Sequence, residues 1–397
     1  MIQGYFFYLY RYLHNVLLCA CGASMLRLLS LIQFQVKCLF CKPHIVEISH
    51  DEAVARISAI HPDPAGKADI VNQPEDPGID LSVIIPIYNY ADKIEKNIQS
   101  ILGQKTKYCF ELILVDDGST DGAADIVRKY VEEPRVKAIF QKNQGIAGAR
   151  NTGLNHAKGK YVMFVDCDDI ADSNLIEILM DAALQEKHDL VMCAHNLVKE
   201  QDGVAYYILS NIYPPYNLLG YSGRAKILNY AGLPWCKVYK RDLFQTVRYY
   251  PRYWYEDTII HLLIFTRCRS FKYIPKVAYQ YRWYENNFSH TQGKKTDEKC
   301  IDYYWLLRRI LEDYESLPDA VFDECFYTAL VKHLSAYYLS KIDGLDESVV
   351  SDLFALCCDL FDQYGNKKYK LPYMLRVTVK ALETRDIALW KLASAFQ

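Results

Sequence analysis

Tyr161–Asp169 reads YVMFVDCDD. Its first five residues, Tyr161–Val165, are apolar or aromatic without a break, the pattern of a strand covered on both faces. The run stops at Asp166, Asp168 and Asp169. Carboxylates this close repel one another unless a cation sits among them. Hard oxygen donors of this kind hold Mg²⁺ or Mn²⁺, which in turn bridges to substrate phosphates. An acidic turn before a helix capped by Asp172 or Ser173 would use the same residues. The flanking sequence separates the two readings.

On either side, strand-like and helix-like patterns alternate. Ser82–Ile87 (SVIIPI), Phe110–Val115 (FELILV), Val136–Phe140 and Asp189–Ala194 read as strands. Ile94, Ile98, Ile101 and Leu102 fall on one helical face, and a second helix carries Ile126, Val127, Tyr130 and Val131. A short helix ends near Ala157, and another runs from about Ser173 to Gln185. The alternation predicts an α/β fold with a mostly parallel sheet between helix layers, whose ligands bind beyond the carboxyl ends of the strands. The unusual polar clusters all lie at such ends: Tyr88-Asn89, Asp116-Asp117, Asn143 to Arg150, and Asp166 to Asp169.

Each group offers distinct chemistry. Asp116 is an acceptor for a base N–H, Tyr88 is a stacking face, and Arg150 is a charge partner for a diphosphate. Gly145 and Gly148 permit close backbone approach. Neither the Rossmann glycine pattern nor a Walker lysine occurs. The pattern predicts a nucleotide whose phosphates are held by a metal and an arginine.

VIIPIYN, ELILVDDGSTD, NQGIAGARNTG and FVDCDD, in this order, resemble the family 2 glycosyltransferases with the GT-A (Rossmann-like) fold. The resemblance covers about 81–289. It implies an inverting, metal-dependent transferase with a nucleotide-sugar donor, most often UDP-linked, and Mn²⁺ or Mg²⁺ as cofactor. By position, Pro86, Tyr88, Asn89, Asp116 and Asp117 belong to the nucleotide-sugar site. Asp166 and Asp168 are the outer members of the DxD motif; Asp166 faces the ribose or sugar, and Asp168 is the first metal ligand. Trp235 and Lys237 would wall the acceptor site, although a core role for Trp235 fits equally. Asp257 is the first choice of catalytic base, with Glu256 in reserve. Arg282, Ser289 and His290 fall in a segment that closes over the diphosphate.

The ends of the chain carry less information. With 397 residues and a net charge of −2 the chain has no general nucleic-acid signal, and 13 cysteines without regular spacing argue for a reducing compartment. Residues 1–45 are apolar and aromatic with only basic charges, Arg11, Arg27, Lys37 and Lys42. They read as helices lying on a membrane surface, or as an extension packed on the body. Residues 46–80, rich in proline, read as a linker. The transferase domain spans 81–290, with a nucleotide-sugar half (81–195) and an acceptor half (196–290), and 291–397 is helical. The expected place is cytoplasmic, peripheral on the inner face of the cell membrane, with a glycan or lipid-linked glycan acceptor in surface polysaccharide synthesis. A nucleotidyltransferase, which would release pyrophosphate, and a non-catalytic sugar-nucleotide-binding protein are the rival readings.

Overall fold

Every residue of β1 (Leu81–Ile87) is buried, as its unbroken apolar run requires. In the computed structural model, which describes residues 23–201, 204–211, 213, 216–219, 223–230, 232–284, 297–365 and 369–396, β1 is central to one sheet. The other strands are β2 (Phe110–Asp116), β3 (Val136–Phe140), β4 (Tyr161–Phe164), β5 (Ile170–Ala171), β6 (Leu190–Gln201), β7 (Val204–Asn211), β8 (Tyr216–Leu219), β9 (Lys237–Lys240) and β10 (Ser270–Trp283). The order is β3-β2-β1-β4-β9-β6-β10-β5, with β7 on β6 and β8 on β10.

β3, β2, β1 and β4 run parallel. β9 enters antiparallel between β4 and β6, and β10 lies parallel to β6. Pro86 sits in a central strand without loss, because its missing N–H would face β4, whose pairing with β1 ends at Ile84↔Phe164. The Ala91–Leu102 helix buries Ile94, Ile98 and Ile101 against this half of the sheet. The Gly145–His156 helix approaches β1 so closely that a Cβ on Gly153 would lie 2.3 Å from Ile84 Cγ2.

Several expectations change in detail. The strand at Asp189–Ala194 extends to Gln201 as β6, and residues 196–290 also contain β7, β8 and the 14-residue β10. The helix expected over Ser173–Gln185 is α-helical only at Leu175–Met180 and continues in wider turns through Asp181–Gln185.

The described residues fall into two compact units. One is Ser58–Ala329; the other comprises those up to Ile57 together with those from Leu330 onward. The helix Asp302–Ser316 therefore belongs with the sheet and not with a separate C-terminal region.

The stretch expected as a linker begins in a helix, His50–Ile60, and then runs as a strap over the sheet unit. Arg248 donates from Nη2 to the Val71 carbonyl (2.9 Å), and Arg241 from Nη1 to the carbonyls of Gln73 and Ala157 (both 2.8 Å). These bonds satisfy strap carbonyls that periodic structure would otherwise serve. Gly66 meets the turn beyond so tightly that a Cβ would lie 1.8 Å from the Pro251 carbonyl oxygen.

In the other unit, the Ala23–Phe40 helix buries Phe34 edge-to-face against Phe396 (5.4 Å) and Tyr373 (6.1 Å), as a packed extension would. Its Ile32, Val36, Leu39 and Phe40 remain exposed on one stripe. No helix among the described residues is long and apolar enough to cross a membrane. Residues 1–22 lie outside the described residues. Cys357 and Cys358 are fully buried, and every described cysteine is free.

Gly66→Ala is expected to force the strap from Pro251, at a cost on the order of 1–3 kcal/mol. In a unit of this size that lowers the melting temperature by roughly 2–4 °C per kcal/mol. A superimposable melting curve would show that the strap does not press on the turn.

Candidate active site

The carboxyl ends of β1 and β2 carry the first cluster. Asp116 is 3% exposed; its Oδ2 accepts the Ser119 N–H (3.3 Å), while Oδ1 is buried with no partner among the described residues. A buried acceptor left this way is costly unless a ligand N–H completes it. The Tyr88 ring is 45% exposed at the same edge. Asn89 has a left-handed backbone (φ 57°), which Asn tolerates better than most residues. Its N–H donates to Ser119 Oγ (3.1 Å) and its Oδ1 accepts the Thr120 N–H (2.8 Å). Asn89 thus clasps the β1 and β2 loops together. Asp117 holds the next loop: its Oδ1 accepts from Gln141 Nε2 (2.7 Å) and the Gln144 N–H (2.9 Å), and burial raises its carboxyl above the usual range.

Arg150 projects from the Gly145–His156 helix and is 2% exposed. Nη1 donates to Glu256 Oε1 (2.6 Å) and Nη2 to Asp166 Oδ1 (3.0 Å), with the guanidinium 5.4 Å from the Tyr249 ring centroid. The sequence suggested a diphosphate partner. In the structure the terminal nitrogens serve two carboxylates, and only Nε is buried without a partner.

The acidic turn divides into structural and exposed members. Asp169 is fully buried and accepts from the Tyr279 hydroxyl (2.7 Å) and the Arg282 N–H (2.9 Å); burial pushes its carboxyl well up. Asn97 donates from Nδ2 to the carbonyls of both Asp166 (2.9 Å) and Asp169 (2.7 Å), fixing the turn. Asp166 and Asp168 then face one another: burial and the charge of Asp166 push the Asp168 carboxyl up to about 7, opposed by Lys93 and Tyr90. The Lys93 ammonium lies 4.4 Å from the Tyr284 ring centroid. No cluster of three His, Cys, Asp or Glu able to hold a metal occurs among the described residues. The two carboxylates are nevertheless the hard donors that suit a divalent cation completing its shell with phosphate and water.

Glu256 and Asp257 sit on a turn just before the helical segment Ile260–Phe265. Tyr255 in that turn has φ 64°. Glu256 is held by Arg150. Lys237 is 1% exposed and donates from Nζ to the carbonyls of Leu233 (2.7 Å) and Trp235 (3.3 Å). Burial lowers its ammonium to about 8, with Asp257 among the charges opposing that shift. Trp235 is 4% exposed, stacked with Tyr279 and Tyr281 at 5.1 and 5.2 Å. Both residues are therefore buried supports, and neither lies open on a wall. Arg282 reaches the acidic turn through its backbone N–H. Ser289 and His290 lie outside the described residues.

Sequence reasoning missed Asn97, Tyr90, Lys93 and Tyr279 as parts of this edge. Asn97 had a signal: a polar residue beside Ile94, Ile98 and Ile101 on an apolar helical face is buried and must bond something. Tyr279 had none, since only the return of β10 brings it to the acidic turn.

A mostly parallel sheet with buried, unpartnered acceptors and paired acids at its carboxyl edge is the GT-A arrangement of glycosyltransferases. Residues 82–248 match Glycosyl transferase family 2, and this segment belongs to that family. It is 28% identical over 240 residues to glycosyltransferase GlyA of Streptococcus pneumoniae, covering 56% of this chain and 33% of that relative. It is 29% identical over 246 residues to the uncharacterized glycosyltransferase YibD of Escherichia coli, covering 58% and 70%. The chain thus spans about a third of GlyA. Among solved structures, S. aureus TarS 1-349 in complex with UDP has the same fold, with a TM-score of 0.56 at 18% identity over 80% of this chain and 90% of that one.

Asn97→Ala removes the donor shared by two buried carbonyls, a loss on the order of 1–3 kcal/mol. A lowered melting temperature is expected, and an unshifted one would remove Asn97 from the support of the acidic turn.

Proposed function

We propose that the sheet unit transfers a sugar, with inversion, from a nucleotide-sugar donor, UDP-linked, to a glycan or lipid-linked glycan acceptor in surface polysaccharide synthesis. The observation that carries this is the Arg150 bridge. It ties Asp166, at the donor end of the sheet, to Glu256, next to the presumed base, and so brings the two halves of a transfer reaction to one edge. TarS has been solved with UDP and with UDP-GlcNAc, which favours a uridine nucleotide here.

In this reading the unpartnered Oδ1 of Asp116 accepts the base N–H, and the Tyr88 ring stacks on the base. Asp117 and Asn89 hold the loops that shape the pocket. Asp168 and Asp166 would hold Mn²⁺ or Mg²⁺, which would neutralise charge on the departing diphosphate. Arg150 keeps Asp166 turned toward that position. Glu256 accepts from Arg150, and in this reading the proton of the acceptor hydroxyl passes to the Asp257 carboxylate. The acceptor oxygen bonds the anomeric carbon as its bond to the diphosphate breaks, and that electron pair leaves with the nucleotide. Lys237 and Trp235 position the Asp257 side from behind.

The second unit supports a place at a membrane. Ile32, Val36, Leu39 and Phe40 form an exposed stripe with Lys37 and Lys42 nearby, the pattern that seats a helix in an anionic bilayer surface.

Asp257→Asn keeps shape and removes basicity. Sugar transfer is expected to fall by ~10²-fold or more, with a smaller loss for Glu256→Gln and loss of metal-dependent UDP binding for Asp168→Ala. Normal transfer by Asp257→Asn would move the base elsewhere. Leu39→Ser with Phe40→Ser is expected to abolish co-flotation with phosphatidylglycerol vesicles; undiminished flotation would rule out this stripe.

A further inference from the structure

The turn that carries Glu256 and Asp257 also carries Arg252 and Trp254. There a cavity of about 400 Å³ opens between the strap, the turn and the start of the Asp302–Ser316 helix. That volume falls within the range of small-ligand sites. We propose that this cavity is an acceptor subsite for an anionic saccharide, one bearing a phosphate or a carboxylate. The inference rests on the glycosyl-transfer reading and deepens it.

The acids in the wall are already satisfied. Asp302 accepts from His61 Nε2 (2.7 Å) and from the Trp254 N–H (3.0 Å). Asp63 accepts from Arg308 Nη2 (2.8 Å), the Ala65 N–H (2.9 Å) and the Tyr253 hydroxyl. The cations are not. Arg252 is exposed and makes no ion pair or hydrogen bond among the described residues. Lys299 is exposed without a carboxylate contact, its ammonium 5.1 Å from the Trp254 ring centroid. Arg252 and Lys299, neither in an ion pair among the described residues, line the cavity with the Trp254 indole and suit a ligand with an anionic group and a sugar face, since an aromatic ring packs on the apolar face of a ring that is polar at its edge.

The backbone favours the same assignment. Arg252 holds φ 71°, a left-handed conformation that is unfavourable for a long side chain. Strain of this kind persists where the surroundings impose it, and it gathers at functional sites. The position is also close to the chemistry. Trp254 and Asp257 are separated by three residues of chain, which reach at most ~11 Å when extended. A saccharide seated on Trp254 would therefore rest on the same turn that carries Asp257. The wall is fixed in place by the Trp254–Asp302 bond, by Tyr255 against Cys300 (3.4 Å), and by the contact of Gly66 with Pro251.

The test is titration calorimetry on the full chain with UDP present in excess, so that the donor edge is filled. The probes are glucuronic acid, glucose 1-phosphate, glucose and inorganic phosphate. Both anionic sugars are expected to bind at least about tenfold more tightly than glucose or phosphate, a difference of ~1.4 kcal/mol. Preference for glucose 1-phosphate alone, or for glucuronic acid alone, identifies which anion the site takes and supports the proposal. Arg252→Gly, which suits the left-handed backbone, combined with Lys299→Ala is expected to remove that advantage. Trp254→Ala is expected to weaken both anionic sugars. Equal binding of glucose and glucuronic acid, phosphate binding as tight as glucose 1-phosphate, or an unaltered double variant with a wild-type melting curve would overturn the subsite. UDP titration alone separates the two levels. Absence of UDP binding by the wild-type chain defeats the donor reading, whereas intact UDP binding without saccharide binding defeats only this subsite.

Discussion

A buried guanidinium sits where the two halves of the sheet unit meet. Burial by itself would disfavour the charge on Arg150, but Asp166 and Glu256 outweigh that and hold it firmly protonated. A cation removed from water costs several kcal/mol unless its partners are well placed, and losing one partner of such a set costs about 3–5 kcal/mol. The arrangement is therefore worth less as net stability than as geometry. Arg150 has a single low-energy position, and that position fixes one carboxylate on the acidic turn and one on the turn before Ile260.

The acidic turn shows how one short motif divides its labour. Asp169 is turned inward, satisfied by Tyr279 and a backbone N–H, and it spends its charge on the fold. Asn97 holds the carbonyls at both ends of the turn. With the backbone pinned, Asp166 and Asp168 are kept near each other despite their repulsion, and burial together with the charge of Asp166 raises the Asp168 carboxyl. A site that holds like charges together in advance gains most from a cation, because the repulsion is relieved on binding.

The nucleotide half was legible because its signals are local. A buried parallel strand must be apolar throughout, and its carboxyl end must be polar where a ligand binds, so β1, β2, β4 and their Asp, Asn and Tyr residues could be read along the chain. Asp116 and the pair Asp166–Asp168 follow from the same rule. The acceptor half resisted reading because its elements are placed by distant partners. β9 is only four residues long and owes its existence to β4 and β6. The resemblance made Trp235 and Lys237 wall residues, with a core role for Trp235 fitting equally; stacking on Tyr279 and Tyr281 and capture by two carbonyls bury them. The strap over 61–80 had the composition of a linker; the arginines that bind it, Arg241 and Arg248, lie some 170 residues further on.

That strap changes how the Glu256–Asp257 turn is to be understood. On one side the turn is held by Arg150, through Glu256. On the other it is held by Asp302, through the Trp254 N–H, and by the strap, which meets Pro251 at Gly66 and Tyr253 at Asp63. Loops carry function because they are free to vary, but a general base must sit within a few tenths of an ångström of its target. Here the conflict is resolved by clamping a loop of unfavourable backbone angles, at Arg252 and Tyr255, between two rigid supports. The polar strap and the C-terminal helix of the sheet unit thereby support the proposed catalytic edge, although neither lies within residues 82–248, where the family resemblance is found.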